Sequence, residues 1–273
     1  MRLETTTTPH NEHVGALEAQ HAAIRREYRT QADAWSRRPI DAHLAWVVEQ
    51  VTWDPAWRVV DVAAGTALFA RAIATRVRSI VAVDLTPEML TRGRDLARAQ
   101  GLTTIRFEQG AVERLPFADA SFDAVVTRYS IHHFREPALA LREMARVCRA
   151  DGQLVLVDMV ADDDPRVADR HNELERTADR THTAMLSPQR LIAAVVDAGF
   201  ALEKYLSREV DMVFDAWQPQ LANESPERQV IRAALEEELA GRGESGMRPV
   251  VRDGVLMFRH TWGIVIARRP RRR

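Results

Sequence analysis

Residues 59–67 read Val-Val-Asp-Val-Ala-Ala-Gly-Thr-Ala, and Asp84 follows 23 positions after Asp61, at the end of a second apolar run. The first stretch predicts a buried strand, a tight turn and the start of a helix. Small residues in such a turn let a ligand approach the backbone closely, and the helix N-terminus faces the same place. A carboxylate at the tip of the next strand can accept hydrogen bonds from ribose hydroxyls. The pattern therefore predicts a pocket for a nucleoside-bearing cofactor.

Strands and helices alternate along the chain on both sides of this stretch. Strands buried on both faces are short apolar runs with little polar alternation, and they belong to parallel sheets covered by helices. We therefore expect an α/β fold: a doubly wound, mostly parallel, seven-stranded Rossmann-like sheet with helical lid insertions. The predicted strands are residues 58–63, 79–84, 103–109, 122–128, 153–159, 200–214 and 260–268.

The remaining segments predict a lid and two inserts. Residues 1–50 contain two helical segments separated by Pro39, and we expect them to form an N-terminal helical lid. Residues 51–273 then form the α/β domain, with inserts at about 160–186 and 215–258. A capping residue followed by proline predicts the start of four helices. These pairs are Thr86-Pro87, Asp164-Pro165, Ser187-Pro188 and Ser225-Pro226.

Composition excludes several classes of function. The formal net charge is −1, which offers no electrostatic basis for binding nucleic acid or an anionic membrane. No run of about 18 apolar residues is present to span a bilayer. Cys148 is the single cysteine, so no intrachain disulfide can form, and the N-terminus lacks the apolar core of a signal peptide. We expect a cytoplasmic enzyme acting on a small molecule, with neither nucleic acid nor membrane as partner. The oligomeric state stays open, with a homodimer as one option.

The charge of Asp61 favours S-adenosylmethionine over a dinucleotide as the cofactor. A dinucleotide site has the pattern G-x-G-x-x-G, of which this turn has only Gly65. Asp61 at the start of the turn would oppose a pyrophosphate. S-adenosylmethionine has no phosphate and carries an ammonium and a sulfonium, which suit an acidic residue there. The alternative is that Asp61 caps the turn and binds nothing.

The order of motifs resembles that of class I S-adenosylmethionine-dependent methyltransferases, in particular the ubiquinone/menaquinone C-methyltransferase-like branch. The resemblance is strong over roughly residues 25–160. It implies methyl transfer from S-adenosylmethionine to a small, partly apolar molecule such as a secondary metabolite. The stretches that carry it are Asp61-Val-Ala-Ala-Gly-Thr66, Asp84-Leu-Thr-Pro-Glu-Met-Leu90, Glu113 to Asp123, Arg128-Tyr-Ser-Ile-His-His-Phe134 and Leu141 to Val147.

The resemblance also implies a role for individual residues around the cofactor. By this likeness Asp61, Ala63 and Gly65 line the methionine end, and Tyr28 of the N-terminal helix closes over it. Asp84 holds the ribose. The other implied contacts are Leu85 and Met89 against the adenine, Gly110, Ala111 and Val112 along its edge, and Arg128 to Ser130 beside the sulfonium.

Two positions depart from the family pattern. Position 67 is usually glycine and position 111 is often aspartate, but this chain has Ala67 and Ala111. The extra methyl group of Ala67 either is tolerated or crowds the cofactor turn. Two alternatives to methyl transfer therefore stay open. One is a cyclase or pericyclase of a polyketide-type pathway on the same fold, and the other is a non-catalytic binding protein.

His132 and His133 are the candidate catalytic residues. They follow the fourth strand, where an acceptor would meet the methyl group, and an imidazole there can take a proton from a hydroxyl, an amine or an activated carbon. The alternative is that one of them caps the next helix or packs against Phe134. No metal site is expected, because the run Asp162-Asp163-Asp164 is typical of a solvated turn with one helix cap.

Two further groups lie in the inserts. His171 and His182 either face the pocket or, as we favour, lie on the surface. The other group either lines an apolar substrate cavity or docks the insert on the sheet, and it comprises Met212, Phe214, Trp217, Met257, Phe258 and His260.

Overall fold

The computed structural model describes residues 9–36, 42–218, 221 and 224–271. Its helices in this part of the chain are α1 (Pro9–Ser36), α2 (Ala42–Glu49), α3 (Leu68–Ile73), α4 (Pro87–Ala99), α5 (Pro137–Val147), α6 (Pro165–Ala178), α7 (Pro188–Asp197) and α8 (Pro226–Leu239). Its strands are β1 (Arg58–Val62), β2 (Ser79–Asp84), β3 (Ile105–Gln109), β4 (Phe122–Arg128), β5 (Cys148–Val160), β6 (Ala201–Val213), β7 (Val250–Arg252) and β8 (Val255–Arg268).

The strands form one mixed sheet in the order β3-β2-β1-β4-β5-β8-β6. Neighbours from β3 to β5 are parallel, and β8 runs antiparallel between β5 and β6. The strand order reverses direction on either side of β1, which is the position where doubly wound sheets bind ligands. The predicted α/β fold is confirmed.

Alternate residues of the strands cover opposite faces of the sheet, because side chains in a strand have a period of two. Val60, Val125 and Leu154 pack with α5 and α7 on one face. Val59 and Val126 pack with α2 and α3 on the other. The carboxyl ends of the parallel strands are held in place between these two layers.

The structure adds to the predicted strands and shortens one helix. β7 is an eighth, short strand that pairs with β8, and β8 begins at Val255 rather than near 260. The sequence predicts a helix over residues 67–77 after the turn, but α3 covers only Leu68–Ile73, with Ala74 as its C-cap. The four predicted cap-proline helix starts are confirmed, with the side chains of Asp164 and Ser225 accepting from backbone N–H groups at their helices.

The two segments expected to form the lid behave differently. α1 lies beside α4 and reaches the carboxyl end of the sheet. Leu44 and Val47 of α2 belong to the core layer beside α3, so α2 covers the sheet. Pro39 lies outside the described residues, and the division of the chain at residue 50 stays a prediction.

The inserts form a third apolar cluster beyond the end of the sheet. Leu174 of α6 and Leu235 of α8 pack against Phe214, Trp217 and Phe258. The two helices therefore cover part of the antiparallel pair β6 and β8. Among the described residues, no helix is long and apolar enough to cross a membrane.

Candidate functional site

A cavity lies at the carboxyl ends of β1, β2 and β4, with residues of α1 in its wall; it is called the lid cavity below. It contains about 1010 Å³ of empty space when the part that is open to solvent is included. Most residues predicted for the cofactor line it, namely Tyr28, Ala63, Gly65, Asp84, Leu85, Met89, Ala111, Val112 and Arg128.

The turn after β1 has a left-handed backbone at every second residue. The φ angle is +53° at Ala63, +55° at Gly65 and +58° at Ala67. For a residue with a Cβ this region costs roughly 1–2 kcal/mol. A Cβ built on Gly65 would meet no atom within 4 Å. Gly65 therefore leaves a stretch of open backbone at the cavity wall.

Ala67 does not crowd this wall. Its side chain is fully buried and packs in the same core layer as Phe69 and Ile73. It is absent from the lining that the described residues give the lid cavity. The extra methyl group therefore occupies core space rather than cofactor space.

Asp61 lies behind the turn and stabilises a helix. Its Oδ2 accepts from the backbone N–H of Ala70 at 3.0 Å, in the first turn of α3, whose N-cap Ala67 has no side-chain hydrogen bond. The pKa of Asp61 is raised to about 7, mainly by burial and also by Asp84, while the hydrogen bond from Ala70 and the charge of Arg128 oppose the increase. The carboxyl is 1% exposed and does not line the lid cavity, so its expected contact with the cofactor stays a prediction.

Asp84 is held at the tip of β2 by the turn itself. Its Oδ2 accepts from the N–H of Gly65 at 2.7 Å and its Oδ1 from the N–H of Thr86 at 2.8 Å. Burial raises the pKa of Asp84, and these hydrogen bonds oppose the increase. Gly110 donates its N–H to the backbone oxygen of Asp84 at 3.1 Å without lining the cavity. The carboxylate is thus fixed, and its remaining lone pairs are available to hydroxyl groups.

Tyr28 connects α1 to the turn after β4. Its hydroxyl lies 2.8 Å from Nε2 of His133, and Nδ1 of His133 lies 3.1 Å from the hydroxyl of Thr181. Gln20 donates to the backbone oxygens of His133 and Thr181. Three segments of the chain therefore meet at one imidazole.

The charge state of His133 follows from this enclosure. Burial and the neighbouring His132 together lower its pKa to about 4. A neutral imidazole has one N–H, so His133 donates to one neighbouring hydroxyl and accepts from the other. His133 thus connects α1, the turn after β4 and the loop at Thr181.

His132 has a different environment. Its Nδ1 lies 2.5 Å from Oδ1 of Asp158, and Oδ2 of Asp158 accepts from the N–H groups of Ser130 and Ile131 at 3.1 and 2.6 Å. Burial is the largest single effect and opposes the charged form of His132, but Asp158, together with Glu175 and Asp179, outweighs it and raises the pKa. The carboxylate thus fixes both the turn and the orientation of the imidazole, as in a histidine that exchanges protons.

His132 faces a second cavity, called the histidine cavity below, with about 590 Å³ of empty space. It shares Tyr28, Tyr129 and His133 with the lid cavity. Its other lining residues are His132, Met159, Glu175, Asp179, His182, Met212, Trp217, Gln218, His260 and Trp262. The two cavities are therefore neighbours across a wall of two tyrosines and a histidine.

The insert histidines are buried, so the favoured surface location is wrong. His171 and His182 are each 4% exposed, and His182 stacks on His132 with ring centroids 5.3 Å apart. His260 and Glu175 come together at 2.9 Å from β8 and α6. The sequence analysis expected no metal site, but His171, Glu175 and His260 form a group that could hold an ion.

Several site residues escaped the sequence analysis. Asp158 ends the apolar run of β5, as Asp61 and Asp84 end or interrupt theirs, and this signal was available. Asp179 and Thr181 had no such signal, because a loop of the insert brings them to His133. Tyr129 lies in the stretch 128–130 that the sequence did indicate, and its φ of +54° is backbone strain of the kind found at functional positions.

Known proteins resemble this chain in sequence and in structure. Residues 60–156 match the methyltransferase domain family. An uncharacterized methyltransferase of Bacillus subtilis, YcgJ, is 35% identical over 59% of this chain and 63% of its own length. The uncharacterized protein YafE of Escherichia coli is 30% identical over 53% of this chain and 70% of its own length. Demethylmenaquinone methyltransferases also match, over shorter stretches.

The match in structure is more extensive. A candidate methyltransferase from Bacillus halodurans has a TM-score of 0.78 and 28% identity over 85% of this chain and 100% of its own. The sequence match covers less than two thirds of the length of YcgJ. The structural likeness therefore covers the full length of the Bacillus halodurans protein, whereas the sequence match to YcgJ is partial.

Proposed function

This chain belongs to the class I S-adenosylmethionine-dependent methyltransferase family, and we propose that it transfers a methyl group to a small, partly apolar molecule bound in the histidine cavity. One observation carries the proposal: the lid cavity and the histidine cavity share Tyr28, Tyr129 and His133. A donor in one cavity and an acceptor in the other would meet at this wall.

The residues of the lid cavity fit S-adenosylmethionine. Asp84 would accept from the ribose hydroxyls, and the open backbone at Gly65 would lie along the methionine part. Leu85 and Met89 provide the apolar wall for the adenine. When bound, S-adenosylmethionine supplies an electrophilic methyl group.

Arg128 has a role that its charge suggests. Its guanidinium lies 4.0 Å from the centroid of the Tyr129 ring and lines the lid cavity. A cation repels a sulfonium and attracts a carboxylate. We therefore assign Arg128 to the carboxylate of the methionine part rather than to the sulfonium.

The histidine cavity indicates the class of acceptor. Met159, Met212 and Trp262 provide apolar surface, whereas His132 and Asp179 provide polar atoms. Such a lining suits an apolar ring or chain with a hydroxyl, amine or acidic carbon. His132 would take the proton released at that atom, and Asp158 would keep its imidazole oriented. Alignment of the acceptor with the donor supplies much of the remaining rate enhancement.

Two residues, Ala67 and Ala111, favoured the cyclase alternative, and the structure removes the argument from Ala67. Ala67 raised the question whether the turn can still accommodate a cofactor, and its methyl group is in the core. Ala111 does line the lid cavity. An assay with a candidate acceptor separates the two activities, because methyl transfer yields a product heavier by one methylene, whereas cyclisation yields no gain in mass.

Calorimetric titration of the full chain with S-adenosylmethionine and S-adenosylhomocysteine tests the proposal. We expect both to bind, and Asp84→Asn to weaken binding by about 10- to 150-fold, since a charge-assisted hydrogen bond is worth about 1.5–3 kcal/mol. Asp95→Asn is the matched control, because Asp95 is exposed on the neighbouring helix α4. Absence of binding at about 1 mM ligand would refute the proposal, because a dissociation constant above that concentration is far weaker than ordinary cofactor affinities.

A further inference from the structure

A cluster of possible metal ligands lies at one side of the histidine cavity. His171 and Glu175 are four residues apart on α6 and therefore share one helical face, and His260 reaches them from β8. One ligand atom from each side chain lies within 4.8 Å of the others. All three residues are at most 4% exposed. Two histidines and a carboxylate are the ligands of many zinc and non-haem iron sites.

The cluster does not satisfy itself by hydrogen bonds. Nε2 of His171 is buried and has no hydrogen-bond partner among the described residues, since Oε1 of Glu175 is 3.6 Å away. The Glu175 side chain has one hydrogen bond in this part of the chain, to His260 at 2.9 Å. A buried carboxylate needs positively charged or hydrogen-bonding partners, and a cation bound by all three groups would be such a partner.

The surroundings hold the ligands in place. Ring centroids of Phe258 and Trp217 lie 5.0 and 6.2 Å from that of His260. The loop before β7 packs on His171 so closely that a Cβ at Gly246 would lie 2.9 Å from the Cβ of His171. Ligands fixed in this way lose little side-chain freedom when an ion binds.

From this geometry we propose that His171, Glu175 and His260 bind one divalent transition-metal ion at the edge of the histidine cavity. Three protein ligands leave at least one coordination position open. Glu175 and His260 line the cavity, so the open position faces it. A metal there would bind an oxygen atom of the acceptor; that last step rests on the proposed function, whereas metal binding does not.

Zinc titration tests the site on the untagged full chain after treatment with a chelator. We expect one Zn²⁺ per chain, and at least tenfold weaker binding in His260→Gln and in Glu175→Gln. His21→Gln and Asp163→Asn are the matched controls, because His21 lies in the wall of the lid cavity and Asp163 in the exposed acidic turn. Both controls should bind zinc as the unaltered chain does.

A measurement on the unaltered chain keeps the proposal testable if a variant fails to fold. Crystals soaked in Zn²⁺ should give an anomalous difference peak between His171, Glu175 and His260. A zinc stoichiometry near zero, a peak at Asp162–Asp164 instead, or binding that survives both cluster substitutions would overturn the proposal. S-adenosylmethionine is absent from these experiments, so their failure is distinct from failure of the proposed methyl transfer.

Discussion

The hydroxyl of Tyr28 lies 2.8 Å from Nε2 of His133, with the two rings edge to face. Tyr28 comes from α1 and His133 from the turn after β4, and both side chains line both cavities. The contact therefore fixes the lid helix at the place where donor and acceptor would meet. A change in this one contact is expected to affect the donor site although neither group needs to react.

Removing the hydroxyl of Tyr28 tests this coupling. Tyr28→Phe keeps the ring but loses the hydrogen bond to His133, worth about 1 kcal/mol, and a longer one of 3.4 Å that the hydroxyl donates to Asp179. We expect the dissociation constant of S-adenosylmethionine to rise about fivefold, measured by calorimetry. Tyr205→Phe is the control, since Tyr205 lines neither cavity. Equal affinities in all three proteins would show that the contact does not hold the lid.

His132 and His133 should respond differently to pH. The ring of His132 should titrate above 6.5 by NMR, because Asp158 raises its pKa, and that of His133 should stay neutral to about pH 4. Asp158→Asn removes the carboxylate that raises the pKa most and leaves burial, Glu175 and Asp179 in place, so the midpoint of His132 should fall. An unchanged midpoint would contradict the role assigned to Asp158. If His132 is the base, His132→Gln should reduce turnover by about 100-fold or more.

Asp61 should make stability depend on pH in a specific direction. Its pKa is about 7 in the folded chain against a usual value of 3.8, so the folded state binds this proton more tightly. The stabilisation is present below about pH 4 and is lost as the pH rises through 7. Asn can still accept from Ala70 but carries no charge. The stability of Asp61→Asn relative to the unaltered chain should therefore increase from pH 4 to 8, by at most on the order of 4 kcal/mol.

Urea unfolding of both proteins at each pH measures this difference. Asp95→Asn, at an exposed position, should show no such trend. A constant difference between Asp61→Asn and the unaltered chain would mean that Asp61 titrates normally in the folded state.

Glycine substitutions at the two alanines of the turn after β1 that have a positive φ, Ala63 and Ala67, should change stability by different amounts. Ala63→Gly should stabilise the chain by about 0.5–1 kcal/mol, because glycine adopts the positive φ without strain. Ala67→Gly should change stability little, since the relief is offset by loss of a buried methyl group worth about 0.8 kcal/mol. Thermal unfolding distinguishes the two, and a clear loss of stability in Ala63→Gly would show that its backbone is not strained.

The sheet and most residues of the lid cavity could be predicted from the sequence, whereas most residues of the histidine cavity could not. Asp84 and Gly65 lie close along the chain and follow strands that pair, so strand order alone brings them together at 2.7 Å. Glu175 and His260 are 85 residues apart, and their contact depends on how α6 packs on the antiparallel strands β6 and β8. The spacing of residues within one segment does not predict how distant segments pack. Ala67 shows a further limit, because its position in the motif did not reveal which way its methyl group faces.

The most direct test of the proposed function is a crystal structure of the full chain with S-adenosylhomocysteine. We expect the ribose hydroxyls at Asp84 and the sulfur beside the wall formed by Tyr28, Tyr129 and His133, open to the histidine cavity. A nucleoside bound outside the lid cavity, or a sulfur directed away from that wall, would contradict it.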